Sequence, residues 1–317
     1  MSLDPDAQAI ADMLAQQMPG TLSELGVEGG RAFLRALGEQ APQGAPVHSV
    51  TDRSISSPEG ALGIRVYRPS EETDLPALVY FHGGGWVMGS LDMVDGLCRE
   101  LANRAECVVV SVDYRLAPEN PFPAGFNDAY AALLWVAEHG AEIGVDTDRI
   151  AVGGDSAGAN LAAAVAVFSR DNNGPEIALQ LLAYPATDYC APTPSWVEHA
   201  NAPLLTADDV RWFWARYLGE DLQFKDDPRA TPTNAASLEK LPPAFVLTPE
   251  YDPLRDEAED YATKLAAAGV QVKVQRYDGA FHGFFMMVGM LDKTERAIAD
   301  ATEMLNEAFA RKTSRTS

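Results

Sequence analysis

Hydrophobic residues follow two kinds of pattern along the chain. Residues 47–56 and 61–70 alternate apolar with polar positions on either side of a turn at residues 57–60, which is typical of a strand pair. Continuous apolar runs follow at 77–81, 107–114, 149–154, 179–184, 244–249 and 270–277. Runs of this kind predict parallel strands that are buried on both faces.

Helical patterns separate these runs, near residues 93–105, 124–139, 157–170, 254–268 and 291–311. Regular alternation of strands and helices predicts a doubly wound α/β sheet that is mostly parallel and flanked by helices. The chain has 317 residues, without internal repeats or a long Gly/Ser linker. We therefore expect one α/β domain with accessory segments.

Two segments fall outside the alternation. In residues 1–45 apolar positions recur at helical spacing on both sides of a break at Pro19-Gly20. Residues 190–240 contain Pro, Trp and Asp clusters and one amphipathic piece at 207–218. We expect both segments to form a cap over an α/β domain built from residues 46–189 and 241–317.

Charge and composition exclude several classes of partner. The net charge of −22 would repel phosphate backbones, so nucleic acid is not expected as a partner. Apolar runs are too short for a membrane span, and the N-terminus lacks the features of a secretory signal, so we expect a cytoplasmic location. Cys98, Cys107 and Cys190 lack zinc-site spacing and are expected to be free thiols.

Ser156 is the candidate nucleophile. It lies in the segment GGDSAG, between the apolar run 149–154 and an alanine-rich helical pattern. A G-x-S-x-G motif between a strand and a helix is typical of a nucleophile elbow, in which Gly154 and Gly158 allow a tight turn. The alternative is that Ser156 is only a helix cap and the glycines only form a turn.

The segment His82-Gly83-Gly84-Gly85 follows the buried run 77–81 directly. Successive glycines let backbone N–H groups approach a substrate, so we expect Gly83 and Gly84 to donate to an oxyanion, together with Ala157. A phosphate-binding loop is the alternative. It is disfavoured because no Gly-Lys-Ser/Thr follows and no acidic residue lies where a ribose contact is needed.

His282 is the candidate general base among five histidines. It follows the last apolar run, at the carboxyl edge of the predicted sheet, where ligands bind in such folds. By contrast, His48 lies in an early predicted strand, His82 in the glycine segment, His139 at the end of a predicted helix and His199 in the segment 190–240. The alternative is a loop histidine without a catalytic role.

Asp252 is the candidate for orienting that base. It follows the run 244–249 and precedes Pro253, which is expected to begin the next helix. Glu250, Asp256 and Glu257 are nearby alternatives.

Taken together, these motifs resemble the hormone-sensitive-lipase-like α/β-hydrolases, the bacterial family IV esterases. The resemblance extends from about Val66 to Phe285 and includes HGGGW at 82–86, DYRLAPENPFPA at 113–124, GGDSAGANLA at 153–162, LLAYPATD at 181–188, YDPLRDEAEDYA at 251–262 and AFHGF at 280–284.

This resemblance implies an α/β-hydrolase fold with a helical cap and hydrolysis of short to medium acyl esters, small-molecule substrates, without metal or cofactor. It implies that Arg115 and Glu119 are structural ties and that Asp155 and Asp256 support loops. It also implies a homodimer through the last strand, 270–277, and the adjacent helix.

An apolar lining is expected for the substrate pocket. The candidates are Trp86, Tyr184, Leu204, Leu205, Trp212, Phe213 and Phe284, although aromatic residues at helical spacing can also be plain core. A compact pocket would favour acetate to hexanoate esters. An amidase or arylformamidase with the same three catalytic residues remains an alternative, as does a receptor for a small ligand, although such receptors lack a working base.

Overall fold

Eight strands form one sheet in the computed structural model, which describes residues 2–18, 20–190, 192–219 and 221–310. The sheet order is β1-β2-β4-β3-β5-β6-β7-β8. The strands are β1 Ser49–Ser57, β2 Gly60–Arg68, β3 Leu75–Phe81, β4 Val108–Asp113, β5 Val145–Asp155, β6 Gln180–Ala183, β7 Ala244–Tyr251 and β8 Val272–Phe281.

The strand directions confirm a mostly parallel sheet. β1 and β2 form the predicted antiparallel hairpin, with Ser57 opposite Gly60, and β2 runs antiparallel to β4. All pairings from β4 to β8 are parallel. The fold class predicted from the alternation of strands and helices is therefore confirmed.

β8 differs from the other predicted buried strands. It is the last strand of the sheet, and Val274 in its middle is 45% exposed. The expectation of burial on both faces was wrong for β8, because an edge strand lacks a neighbour and flanking helices cover it incompletely.

The described residues form nine α-helices. Their bounds are α1 Pro5–Gln17, α2 Leu22–Gln40, α3 Asp95–Arg104, α4 Ala124–His139, α5 Ala157–Asp171, α6 Pro194–Glu198, α7 Ala207–Leu218, α8 Arg255–Ala267 and α9 Asp292–Ala310. The helices predicted inside the α/β domain all occur, within a few residues of their expected ends. None of the described helices is long and apolar enough to cross a bilayer.

The N-terminal segment contacts the inserted segment. α2 begins with a capping box at Thr21 and is kinked at Gly26, whose φ is +68°. The backbone N–H of Ser23 donates to Asp209 Oδ1 over 2.7 Å, which joins α2 to α7. The predicted break lies between α1 and α2, but Pro19 itself is outside the described residues.

Four loops at the carboxyl ends of parallel strands meet at one edge of the sheet. The glycine segment follows β3, Ser156 follows β5, Asp252 follows β7 and His282 follows β8. Ligands bind at this edge in open α/β sheets, so the topology places the candidate residues where a site is expected.

Candidate active site

Ser156 occupies a strained turn between β5 and α5. Its φ is +55° and ψ is −120°, a conformation that non-glycine residues rarely adopt. A Cβ at Gly158 would lie 1.9 Å from the carbonyl oxygen of Phe81, and one at Gly154 would lie 2.5 Å from that oxygen. Both glycines are therefore required by close backbone packing, as the motif predicts.

Ser156, His282 and Asp252 form one hydrogen-bonded series. His282 Nε2 lies 2.9 Å from Ser156 Oγ, and His282 Nδ1 lies 2.7 Å from Asp252 Oδ2. Asp252 is fully buried, and its other oxygen accepts the backbone N–H of Leu254 at 2.8 Å. This arrangement allows the imidazole to accept the serine proton while the carboxylate fixes the orientation of the ring.

The other four histidines lie in different environments. His82 is buried, its Nδ1 lies 2.7 Å from the carbonyl oxygen of Gly83, and burial lowers its pKa to about 4. His199 lies beside the Arg255 guanidinium, His139 beside Glu142, and His48 is exposed. Of the five histidines, all of which lie in the described part of the chain, only His282 contacts the hydroxyl of Ser156.

The prediction that Gly83 donates to an oxyanion is corrected by the structure. Its backbone N–H donates to Asp155 Oδ1 over 3.0 Å, and Gly83 does not line the cavity above Ser156. Because one N–H group already bonded to a buried carboxylate is not available to a substrate, Gly83 holds the loop in place instead.

Gly84, Gly85 and Ala157 all line the cavity beside Ser156. Gly84 has φ +110° and Gly85 has φ +62°, conformations that favour glycine. Within the described residues, none of these three backbone N–H groups has a protein acceptor. Gly85, which the glycine motif alone did not indicate, therefore replaces Gly83 as a candidate donor.

Asp155 links the elbow to the glycine segment. Its Oδ1 accepts the Tyr80 hydroxyl at 2.9 Å as well as the N–H of Gly83. Burial of this carboxyl raises its pKa to about 6, although the two donors partly oppose that effect. The contacts agree with the loop-supporting role that the resemblance implied.

An apolar cavity of about 630 Å³, including its open mouth, lies above Ser156. The space inside it that the centre of a water molecule can reach is about 50 Å³, so the enclosed part of the cavity is compact. Four of the predicted lining residues contribute to its wall, namely Trp86, Leu204, Leu205 and Phe213. Further lining residues, which no motif in the sequence indicates, include Leu22, Leu34, Met93, Val210, Leu254 and Met286.

Three predicted lining residues do not reach the cavity wall. Tyr184 and Phe284 are fully buried, and Tyr184 packs beside the His282 ring with centroids 4.7 Å apart. Trp212 lies under the Arg216 guanidinium instead. The expectation failed for Trp212 because adjacent residues of a helix point in different directions, and its neighbour Phe213 faces the cavity.

Comparison with known proteins agrees with this geometry. A family model described as the alpha/beta hydrolase fold matches residues 78–286. The chain belongs to the α/β-hydrolases of the hormone-sensitive-lipase type.

Relatives of this α/β-hydrolase are named as esterases. Esterase LipI of Mycobacterium tuberculosis is 46% identical, over 86% of this chain and 85% of the relative. Carboxylesterase NlhH of the same organism is 44% identical, over 88% of this chain and 89% of the relative. The solved structure of a hyperthermophilic esterase from the archaeon Pyrobaculum calidifontis has a TM-score of 0.92 and 41% identity, over 97% of this chain and 99% of that one.

Further charged residues of this α/β-hydrolase tie loops around the site. Arg115 bonds Asp128 through both Nε and Nη2, and Glu119 accepts two bonds from Arg31 of α2. Asp256 accepts the N–H of Ser195, at the start of α6, over 2.8 Å. These contacts agree with the structural roles that the resemblance implied.

Proposed function

We propose that this protein is a serine carboxylesterase in which Ser156 is the nucleophile, His282 the general base and Asp252 the orienting acid. The observation that supports this most directly is the series of contacts from Ser156 Oγ to His282 Nε2 at 2.9 Å and from His282 Nδ1 to Asp252 at 2.7 Å. The predicted enzyme class agrees with the names of the relatives.

The reaction begins when His282 accepts the Ser156 proton and the serine oxygen attacks the ester carbonyl. The carbonyl oxygen becomes an oxyanion, to which the N–H groups of Gly84, Gly85 and Ala157 donate. Loss of one such donor typically costs about 3 to 4 kcal/mol of transition-state stabilisation. His282 then protonates the departing alcohol, and water activated by the same histidine hydrolyses the acyl-enzyme.

The substrate is a small ester with an acyl group of two to six carbons. The cavity wall is mainly apolar, and side chains of the proposed cap, residues 1–45 and 190–240, form part of it together with residues of the α/β domain. A compact apolar cavity binds short acyl chains and excludes long ones. No metal or cofactor is needed for this chemistry.

Ser156→Ala tests the assignment. We expect the variant to fold normally and to lose about 10⁵-fold or more in kcat on p-nitrophenyl butanoate, because the serine and histidine act as a unit. Activity is measured by p-nitrophenolate release, and folding by circular dichroism and thermal unfolding.

The matched control is Ser54→Ala, which changes an exposed serine of β1 and should leave kcat unchanged. A folded Ser156→Ala variant with unchanged turnover would exclude Ser156 as the nucleophile.

An amidase or arylformamidase is the second candidate, since the same residues can attack an amide. Rates on an ester and an amide with matched acyl groups separate the two, and we expect the ester to be the faster. A receptor without catalysis is disfavoured by the His282–Ser156 contact. A cytoplasmic location stays a prediction.

A further inference from the structure

Two cavities meet at Leu34 and Met93, which line both of them. The first is the apolar cavity above Ser156. The second has a more polar lining, which consists of Arg31, Arg35, Ser90, Glu119 and Asn120 together with Leu116 and Gly89. Two side chains therefore separate the proposed acyl site from a polar groove.

Rigid elements hold these two side chains in place. Leu34 lies on α2 and is 6% exposed, and Met93 lies in a 3₁₀ turn at Leu91–Val94. α2 is packed closely against this turn, since a Cβ at Gly38 would lie 3.3 Å from the Met93 Cα. The two cavities are therefore separated where one face of α2 packs on the turn at Leu91–Val94.

Arg31 fastens α2 to the loops beneath it. Its guanidinium donates to the carbonyl oxygens of Val87 and Ala117 and forms two bonds with Glu119, at 2.7 and 2.8 Å. The Arg31 charge is therefore paired with Glu119 at the groove. An alkyl chain that entered the groove would lie against this ion pair. Burial of its methylene groups there would contribute little binding free energy.

The position of the base sets the side of the cavity on which the alcohol lies. His282 must protonate the alcohol oxygen, so the alcohol group lies on the histidine side, near Gly283 and Met286, which also line the cavity. The acyl chain extends away from the leaving oxygen, and Leu34 and Met93, which line the same cavity, are available to contact it.

We propose that Leu34 and Met93 form a partition that sets the upper limit of acyl length in this enzyme. The inference rests on the proposed carboxylesterase function. Leu34 and Met93 are specificity-determining residues in this account, because their side chains end the apolar cavity without contacting the reacting atoms.

Leu34→Ala tests the partition by enlarging the apolar cavity at the end that borders the groove. The measurement is kcat/KM for p-nitrophenyl butanoate and decanoate. We expect the wild-type protein to favour butanoate. In the variant the decanoate-to-butanoate ratio should rise about tenfold, because two or more further methylenes become buried in the apolar space that the Leu34 side chain leaves. Met93→Ala shortens the second side chain of the partition, and it should also raise the decanoate-to-butanoate ratio.

Leu37→Ala is the matched control, since it removes the same atoms one turn further along α2 from a residue that lines neither cavity. It should leave the ratio unchanged. A parallel series of alkyl acetates, from methyl to octyl, tests the direction of the chain and should respond little to either cavity variant.

An unchanged ratio in a folded Leu34→Ala or Met93→Ala variant would overturn the partition, and so would a shift confined to the alkyl acetates. If Leu34→Ala fails to fold, the Met93→Ala result decides. A wild-type protein that favours decanoate also contradicts the partition while leaving ester hydrolysis intact. Absence of hydrolysis of every ester by the folded wild type overturns the proposed function itself.

Discussion

Single residues of this protein show how close packing prepares the chemistry. Ser156 adopts φ +55° in a turn whose flanking glycines, Gly154 and Gly158, pack closely against the carbonyl oxygen of Phe81. Gly83 looks equivalent to Gly84 in the sequence, but its N–H is bonded to Asp155. Which glycine donates to a substrate depends on one neighbouring carboxylate, and the glycine motif by itself does not contain that information.

Glu257 is a buried acid whose charge affects stability. It lies in α8 and accepts the N–H of Thr187 at 2.8 Å, and its other oxygen lies 3.5 Å from the Trp196 Nε1 of α6. Burial raises its pKa to about 8, above the usual 4.5. The native state therefore retains a proton that the unfolded chain releases between about pH 4.5 and 8.

Glu257→Gln should change the pH dependence of folding. Wild-type stability should fall as pH rises from 5 to 9, because the buried carboxyl must ionise. The free energy of unfolding of the variant relative to wild type should then increase by about 3 to 5 kcal/mol over this range. Urea titrations at several pH values measure this difference.

The control for Glu257→Gln is Asp260→Asn, which changes an exposed acid of the same helix and should give a difference independent of pH. A constant difference for Glu257→Gln as well would show that the Glu257 carboxyl is ionised throughout this range.

At the scale of elements, patterns of hydrophobicity predicted helices and strands closely. α4 has the predicted bounds, 124–139, and the strand pair at β1 and β2 has the predicted turn. The one misjudged strand environment was that of β8. An apolar run does not reveal whether a strand is central or at an edge, because that depends on the order of strands in the finished sheet.

The exposed edge at β8 supports the predicted homodimer. β8 ends the sheet and Val274 is 45% exposed, so a second copy could extend the sheet by pairing with this strand. We expect light scattering to give twice the mass of one chain. Val274→Glu should raise the dimer dissociation constant at least tenfold, because like charges would face each other across the two-fold axis.

Val197→Glu is the control for the dimer, because Val197 is 82% exposed and belongs to α6 rather than to β8. It should leave the mass unchanged. A wild-type protein that remains monomeric at every concentration measured would contradict the predicted dimer.

At the scale of the whole molecule, the order of motifs predicted more of the site than any single motif. Ser156, Asp252 and His282 are far apart in the chain, yet each follows a parallel strand, and this predicts that they meet at one edge. The cavity wall was less predictable. Leu34 and Met93 meet only because α2 packs on the turn at Leu91–Val94, and no local pattern in either segment reports that contact.

Net charge is also a property of the whole molecule. The charge of −22 is compatible with a small ester substrate, because the cavity wall is mainly apolar and the acids near it are paired with donors. The negative field disfavours anionic polymers as partners without affecting a neutral ester.

The central claim is that Ser156 Oγ is the activated nucleophile, and a fluorophosphonate probe tests it most directly. Attack forms a bond from Oγ to phosphorus and releases fluoride, which leaves one stable phosphonyl group on the protein. Intact mass and peptide mass spectrometry should find a single adduct at Ser156 in the wild type and none in Ser156→Ala. An adduct at another residue, or equal labelling of the variant, would contradict the account.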